Sequence, residues 1–364
     1  MKSRLLLSIC LLVITSALLS CSSSMKSVPA APLHLVFVAS QNQNTISTFN
    51  LDPTSGQLSD ASSTPTGACL GPRYLEMHPS NNFLLATCLS SNSVATFAVD
   101  PASGTLTLIG PPAPTGAVPV TVAVHPQGKF AYVSNIGSNT LSAYAIANNG
   151  SLTEIAGSPY ATGATPYWVE ISESGNFLYV ANRDSNNLNV FRVDADTGTL
   201  AQIAGSPFAT DRGPRAIALS GKFVFVPNRF ANNVSVFTAD STTGALTTVP
   251  GSPFAAGTDP RSAAVDPSGH FLYVPNTVSN DISAYTINQT TGALTPITGS
   301  PFPGGQVPLQ IETDASGKFL FMANSGSNNL MVFAIDSSTG KPQLIQTANT
   351  PGIAVSFAEI DLHQ

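Results

Sequence analysis

Residues 270–297 read HFLYVPNTVSNDISAYTINQTTGALTPI, and the landmarks of this stretch return at one period along the chain. The clearest landmark is Asn280, because an aliphatic residue follows it after two positions and an aromatic residue after five. The same triplet recurs at spacings of 46 to 48 residues. The seven marker asparagines are Asn44, Asn92, Asn139, Asn186, Asn232, Asn280 and Asn328. A period of this length is typical of a repeat architecture.

Each copy contains four short strand patterns, which we name A to D. In the copy around Asn280 we assign strand A to residues 261–265, strand B to 271–274, strand C to 282–287 and strand D to 293–297. Strand B is dense in aromatic and β-branched residues, and strand C alternates between two faces, as sheet strands do. The repeat therefore predicts four-stranded antiparallel sheets.

Two turn motifs recur in the copies. A glycine stands between strands C and D, where a left-handed backbone favours glycine. These turn glycines are Gly56, Gly104, Gly150, Gly198, Gly244, Gly292 and Gly340. Four copies then contain Gly-Ser-Pro-aromatic, at residues 157–160, 205–208, 251–254 and 299–302. We expect the proline to end strand D and the aromatic residue to pack on the neighbouring sheet.

Seven such units predict an all-β fold, a seven-bladed β-propeller. The first copy starts with a type B strand at residues 35–39, and residues 353–360 form an unpartnered type A strand. We expect this C-terminal strand to pair with the N-terminal strands B to D and close the ring, which removes the open edge. An open β-solenoid is the alternative, and it would not need this split copy.

The first residues predict export. Lys2 and Arg4 precede an apolar run at residues 5–19 that is too short for a membrane span but suits a signal peptide. Leu18-Leu19-Ser20-Cys21 resembles a bacterial lipoprotein box, so we expect residues 1–20 to be removed and Cys21 to carry lipid. An ordinary cleaved signal is the alternative. Residues 21–32 then form a flexible tether and residues 33–364 the propeller.

Export and composition together restrict the partners. The protein would lie at the bacterial cell envelope, periplasmic or surface-facing, and would touch the membrane through its lipid anchor only. A net charge of -6 with only 9% charged residues argues against nucleic-acid binding. Cys69 and Cys88 remain after Cys21, and in an exported protein they favour a disulfide.

Arginines concentrate on one side of the predicted propeller. The loops from D to A and from B to C share one face, which we name the top face, because strands alternate in direction. Six arginines fall in or beside these loops, namely Arg73, Arg183, Arg212, Arg215, Arg229 and Arg261. Their forked donors match carboxylate or phosphate oxygens, and Tyr167 and Trp168 could stack on a sugar ring. Either these arginines bind an anion, or Asp184, Asp211 and Asp259 neutralise them.

Strand A carries a glutamate four residues after its loop proline in three copies, as Glu76, Glu170 and Glu312. We expect these carboxyl groups to line the channel, where three roles are open to them: activation of a water, binding of a cation, or a hydrogen bond without further function. The histidines give no cluster with metal-ligand spacing, so we expect no metal and no cofactor.

Three segments carry a family resemblance: HPQGKFAYVSN at residues 125–135, DPSGHFLYVPN at 266–276 and ASGKFLFMANSGSNNLMVF at 315–333. With these repeats the chain resembles the β-propeller lactonase family, which includes 6-phosphogluconolactonase, and also the YVTN-type surface propellers. The resemblance implies a seven-bladed propeller and a lactone hydrolase.

The family typically presents Gly-Pro-Arg-His at the top of strand A and Asn-Glu after strand B. This chain keeps the arginine as Arg73, Arg215 and Arg261. The positions of the family histidine hold Tyr74, Ala216 and Ser262, and those of the glutamate hold Arg183, Arg229 and Thr277. If the chain hydrolyses lactones, Glu76, Glu170 or Asp184 would have to activate the water.

Two functions follow from these observations. The first is an envelope lipoprotein of lactonase type that binds a sugar acid, lactone or similar anion. Arg215 and Arg261 would be the main contacts, and Arg73, Arg183 and Arg229 would assist. The alternative is a non-enzymatic scaffold for an envelope protein or polysaccharide, since a fold alone does not fix a function. We expect a monomer in either case.

Overall fold

The computed structural model describes residues 34–360, which form seven antiparallel sheets around a central channel. Within each sheet the strands run from A at the channel to D at the outside, and strands A of adjacent sheets contact one another in six of the seven neighbouring pairs. The predicted seven-bladed propeller is therefore confirmed. We number the blades 1 to 7 in the chain order of their strands B.

The strands have the following bounds, each set running from blade 1 to blade 7. Strands A are Ala354–Ile360, Pro72–Met77, Pro119–Val124, Pro166–Ile171, Ala218–Ser220, Ala264–Val265 and Pro308–Thr313. Strands B are His34–Ser40, Phe83–Cys88, Phe130–Asn135, Phe177–Asn182, Phe223–Asn228, Phe271–Asn276 and Phe319–Asn324. Strands C are Thr45–Leu51, Ser93–Val99, Thr140–Ile146, Asn187–Val193, Asn233–Ala239, Asp281–Ile287 and Asn329–Ile335. Strands D are Leu58–Pro65, Leu106–Leu108, Leu152–Glu154, Leu200–Gln202, Leu246–Thr248, Leu294–Pro296 and Pro342–Asn349.

The outer strand of blades 2 to 6 consists of two pieces. The second pieces are Ala113–Pro114, Tyr160–Ala161, Phe208–Ala209, Phe254–Ala255 and Phe302–Pro303. In blade 4 the Ser206 hydroxyl accepts a 2.9 Å hydrogen bond from the backbone N–H of Val190 in strand C, at the break between the pieces. Ser158, Ser252 and Ser300 repeat this contact. The prediction that the proline ends strand D was incomplete, because the serine bridges the break and the strand resumes.

The aromatic residue of the same motif lies where it was expected. Phe208 pairs with Leu188 of its own blade and packs against the apolar cluster between blades 4 and 5. Tyr160, Phe254 and Phe302 occupy equivalent places. The motif therefore joins neighbouring blades and has a structural role.

The C-terminal strand closes the ring. Ala354–Ile360 pairs antiparallel with His34–Ser40, with Leu35 opposite Ile360 and Ser40 opposite Ala354. Blade 1 thus takes its inner strand from the end of the chain and its other strands from the beginning. This is the predicted closure, and an open solenoid is excluded.

The marker asparagines hold the top loops together. All seven have a positive φ, between 48° and 58°. In blade 4 the Asn186 side chain accepts a 2.8 Å hydrogen bond from the backbone N–H of Gly213 in the next D-to-A loop. Five other marker asparagines accept the equivalent hydrogen bond, each from a backbone N–H of the D-to-A loop that follows it in the chain. The marker therefore fixes the loop that ends at the inner strand.

Several predictions fall outside residues 34–360. These are the signal at residues 1–20, the lipid on Cys21 and the tether at residues 21–32. The described part of the chain has no helix, and hence none long and apolar enough to cross a membrane.

Candidate functional site

The top of the channel is built from one equivalent position of each inner strand, the residue that follows the loop proline. In blades 2 to 7 this position holds Arg73, Val120, Tyr167, Arg215, Arg261 and Leu309. Together they line a cavity of about 30 Å³, which we name the upper cavity. Sequence positions far apart thus meet at the channel axis.

In four blades, two adjacent residues of strand A both line this cavity. In a regular strand, adjacent side chains would point to opposite faces of the sheet. The pairs are 73–74, 120–121, 167–168 and 309–310. Here the register of strand A against strand B shifts, for example between Pro166 and Trp168. A β-bulge inserts one residue and re-aims the side chains beside it. The bulges therefore turn two side chains per strand towards the axis.

Arg215 and Arg261 are positioned by backbone hydrogen bonds to strand B. Their backbone N–H groups donate to the carbonyl oxygens of Pro227 and Pro275, over 2.9 Å and 3.2 Å. Each of these prolines lies in strand B and has no N–H to return to strand A. The inner strands of blades 5 and 6 are consequently short, and the arginines sit just outside them.

Tyr167 stands at the centre of the arginine group. The Arg73 Nη2 donates a 3.1 Å hydrogen bond to the Tyr167 hydroxyl oxygen, and the Arg215 Cζ lies 3.3 Å from the centroid of the Tyr167 ring. Burial alone would raise the pKa of Tyr167. Arg73, Arg215 and, more weakly, Arg261 outweigh it and lower the pKa to about 7.

Arg215 is buried without a counter-ion. It is 4% exposed, and no protein oxygen in the described residues accepts a hydrogen bond from its guanidinium group. Burial and the neighbouring Arg261 and Arg73 lower its pKa to about 9, so it remains a cation near neutral pH. A desolvated cation without a partner is costly unless an anion completes the site.

The other predicted arginines are partly neutralised. Arg183 pairs with Asp184 at 2.7 Å, and Asp259 pairs with both Arg229 and Arg261 at 2.8 Å. Asp211 forms no ion pair and instead accepts hydrogen bonds from the Asn233 amide and the Arg212 backbone. Neutralisation by Asp184 and Asp259 is therefore confirmed, whereas neutralisation by Asp211 is wrong and anion binding stays a prediction. Within residues 34–360, Arg73 and Arg215 have no carboxylate partner, whereas Arg183, Arg229 and Arg261 have one.

Tyr74 and Trp168 form the floor of the upper cavity. Their rings meet edge to face at 5.1 Å, and the Trp168 Nε1 donates a 3.0 Å hydrogen bond to Glu170 below. Trp168 thus has its polar edge turned away from the mouth. It supports the cavity from beneath, and the expected stacking on a sugar ring above would need another orientation.

Below the floor, Glu76, Glu170 and Glu312 line a lower cavity of about 350 Å³. Burial raises the pKa of Glu170 to about 7 and that of Glu312 to about 8. Burial, and then Glu170 and Glu312, raise the pKa of Glu76 well above its usual range. The channel is thus divided into a cationic upper half and an acidic lower half.

The three candidate water-activating groups are not brought to the upper cavity. Glu76 and Glu170 lie on the other side of the floor, and Asp184 is engaged by Arg183 and Thr165 on the top surface. Among residues 34–360, no group of three His, Cys, Asp or Glu side chains is placed to hold a metal ion. The polar groups beside the arginines are Tyr167, Thr121 and Gln310.

The loop that leads into the strand of Arg73 is tied by a disulfide. Cys69 and Cys88 are bonded, with Cα atoms 5.0 Å apart. Cys88 ends strand B, where five other blades have a buried asparagine, and in four of those blades a glycine of the D-to-A loop packs against that amide. The disulfide replaces this glycine–asparagine contact in blade 2. This replacement is visible in the sequence, because Cys69 occupies the repeat position of the loop glycine and Cys88 that of the asparagine.

The family of the chain is shown by its sequence. The family model described as lactonase, seven-bladed β-propeller, matches residues 32–124, 110–210, 201–306 and 302–357. The chain belongs to this lactonase family.

Solved structures give this lactonase-family propeller the same fold. A candidate 6-phosphogluconolactonase from Bacteroides uniformis is 21% identical with a TM-score of 0.81, over 91% of this chain and 100% of that one. The periplasmic gluconolactonase PpgL of Pseudomonas aeruginosa is 18% identical with a TM-score of 0.80, over 91% of this chain and 99% of that one. No curated protein sequence matches this propeller.

Proposed function

We propose that this lactonase-family propeller binds a small sugar-derived anion, a sugar acid or its lactone, at the upper cavity. The observation that carries the proposal is Arg215, a buried guanidinium group that lines the cavity and finds no acceptor in the described part of the chain. Arg73 and Arg261 line the same cavity and add two further cations. Carboxylate oxygens fit such forked donors.

The size of the cavity indicates how the ligand enters. The enclosed volume of about 30 Å³ suits a charged head group at the bottom of the open mouth. The ligand therefore binds end-on, with its carboxylate or carbonyl among the arginines and its hydroxylated carbons in the mouth above. The similar structures described as a 6-phosphogluconolactonase and a gluconolactonase support this substrate class.

Isothermal titration of gluconate and 6-phosphogluconate into the full propeller tests the proposal. Arg215→Gln should weaken binding at least tenfold, because it removes a charge-assisted contact of about 1.5–3 kcal/mol. Arg212→Ala is the matched control, since Arg212 is an exposed top-face arginine outside the cavity. Equal affinity of Arg215→Gln and wild type, or no binding by wild type, would refute the proposal.

One observation favours the scaffold function as a second candidate. Among the described residues, the exposed large apolar side chains other than Leu344 all lie on top-face loops, and they are Leu70, Phe230, Val278, Val307 and Ile353. Apolar side chains grouped on one face are typical of a docking surface. Co-sedimentation with envelope polysaccharide that Phe230→Ser abolishes and Arg215→Gln preserves would favour this candidate over the anion site.

We also propose that the protein reaches the envelope as a lipoprotein, on the strength of the Leu-Ser-Cys motif ending at Cys21. Cys21→Ala should release the protein from the membrane fraction. A variant that stays in that fraction would contradict lipidation.

A further inference from the structure

Among the described residues, the hydroxyl of Tyr167 meets one hydrogen-bond donor, Arg73, and no acceptor. Arginine only donates, so the Tyr167 oxygen must accept the hydrogen bond from Arg73. No described group accepts a hydrogen bond from this hydroxyl in return. The surroundings therefore stabilise the oxygen as an anion and leave its proton free to depart.

The charges around Tyr167 also favour its phenolate form. No carboxylate of the described residues pairs with Arg73 or Arg215, and Arg261 shares Asp259 with Arg229. A phenolate would supply the counter-charge that the protein otherwise does not place beside Arg215. The pKa of about 7, against an ordinary value of 10, agrees with this arrangement.

The upper cavity has room for a water molecule at Tyr167. Its volume of about 30 Å³ exceeds the roughly 10–15 Å³ that one water needs. The cavity is lined by hydrogen-bonding groups of Arg73, Tyr167, Arg215 and Gln310. A base, a site for water and cations for a developing oxyanion thus lie together, and the glutamates are shut off by the Tyr74–Trp168 floor.

We propose that Tyr167 is the general base of a lactone-opening reaction at the upper cavity. The Tyr167 phenolate takes a proton from a water whose oxygen attacks the lactone carbonyl carbon, and Arg215 and Arg261 stabilise the oxyanion that forms. The tetrahedral intermediate then breaks its ring carbon–oxygen bond, and the departing alkoxide takes the proton back from the Tyr167 hydroxyl. One lactone and one water give one hydroxy acid, and the phenolate is restored.

This inference rests on the proposed anion site and is tested separately from it. The rate of acid release from glucono-lactone is followed against pH in the full propeller, after subtraction of the uncatalysed rate. We expect the wild-type kcat/KM to rise with pH through one ionisation near pH 7. Tyr167→Phe should lower kcat about 10²–10⁴-fold and abolish this ionisation, while gluconate still binds.

Two further measurements make the result decisive. Tyr179→Phe removes a buried hydroxyl from strand B of the same blade, away from the cavity, and should leave rate and pH profile unchanged. The ultraviolet absorbance of phenolate, titrated in wild type and Tyr167→Phe, should show one tyrosine that ionises near pH 7 in wild type only. This absorbance does not depend on turnover.

The outcomes separate the two proposals. If wild type binds gluconate but opens no lactone, or if Tyr167→Phe retains the wild-type rate and pH profile, the role of Tyr167 is refuted and the anion site stands. If wild type binds neither gluconate nor 6-phosphogluconate, the anion site itself is refuted, and the role of Tyr167 falls with it.

Discussion

At the scale of single residues, the channel contains two kinds of buried ionisable group on opposite sides of the Tyr74–Trp168 floor. Arg215 above the floor has no carboxylate partner in residues 34–360, whereas Glu76, Glu170 and Glu312 below it are carboxyl groups that burial keeps protonated towards neutral pH. Glu170 and Glu312 each accept one side-chain hydrogen bond, from Trp168 and Gln310. These hydrogen bonds favour the ionised carboxylates, but burial outweighs them, so ionisation in the folded protein is unfavourable and stability is linked to pH.

The stability of the propeller should fall as pH rises from about 4.5 to about 8. The folded-state pKa values of Glu170 and Glu312 lie above the unfolded value, so in this window the folded protein holds protons that the unfolded chain has lost. Glu170→Gln should weaken this dependence and stabilise the protein at pH 8 by on the order of 1–3 kcal/mol. Urea unfolding at several pH values measures it.

Glu173→Gln serves as the control for this prediction, because Glu173 is exposed at the open end of the lower cavity. It should leave the pH dependence as in wild type. A Glu170→Gln protein whose stability follows pH as wild type does would show that Glu170 is already ionised in the folded state.

At the scale of elements, the turn from strand C to strand D joins neighbouring blades. The turn glycines have φ between 69° and 81°. A Cβ atom on Gly198 would lie 2.4 Å from Phe130, the first residue of strand B in the preceding blade. Five other turn glycines meet the equivalent phenylalanine. The repeat thus requires glycine both for the backbone conformation and for the contact between blades.

Gly198→Ala should destabilise the propeller by about 2–4 kcal/mol, the sum of a left-handed alanine and a displaced Phe130. Gly221→Ala is the matched control, since Gly221 has a φ of 53° and nothing within 4 Å of its position for a Cβ. This control should lose only about 1–2 kcal/mol. Chemical denaturation compares the two, and equal losses would mean that the Phe130 contact contributes nothing.

At the scale of the whole molecule, ring closure depends on the last strand. Val355 and Ala358 belong to the core between blades 1 and 2, and Ala354 and Phe357 to the core between blades 7 and 1. The Gln310 side chain also bonds the backbone of Phe357 on both its N–H and its carbonyl. One strand therefore completes one sheet and two blade interfaces.

Deletion of residues 354–364 should prevent cooperative folding or lower the free energy of unfolding by more than about 5 kcal/mol, which is comparable with the stability of a whole domain. The open edge of blade 1 should also promote aggregation. Deletion of residues 361–364 alone is the control. Thermal unfolding and light scattering measure both effects, and a shortened protein that melts like the control would contradict this account of closure.

The sequence by itself determined the number of blades, the turn glycines, the marker asparagines and the split first blade. These features are local, because a left-handed turn or a buried strand imposes its residue types at fixed spacing. The arginines of the top face were visible for the same reason. The missed second piece of strand D is the exception, since the serine that bridges the break acts through a neighbouring strand.

Only the tertiary structure decided which of these residues share a site. Tyr167 meets Arg73 and Arg215 from other blades, Asp259 pairs two of the arginines, and the Tyr74–Trp168 floor separates Glu76 and Glu170 from the mouth. The β-bulges that turn consecutive side chains to the axis break the alternation on which sequence reasoning relies. Each contact joins side chains many residues apart in sequence, and only closure of the ring brings them within reach.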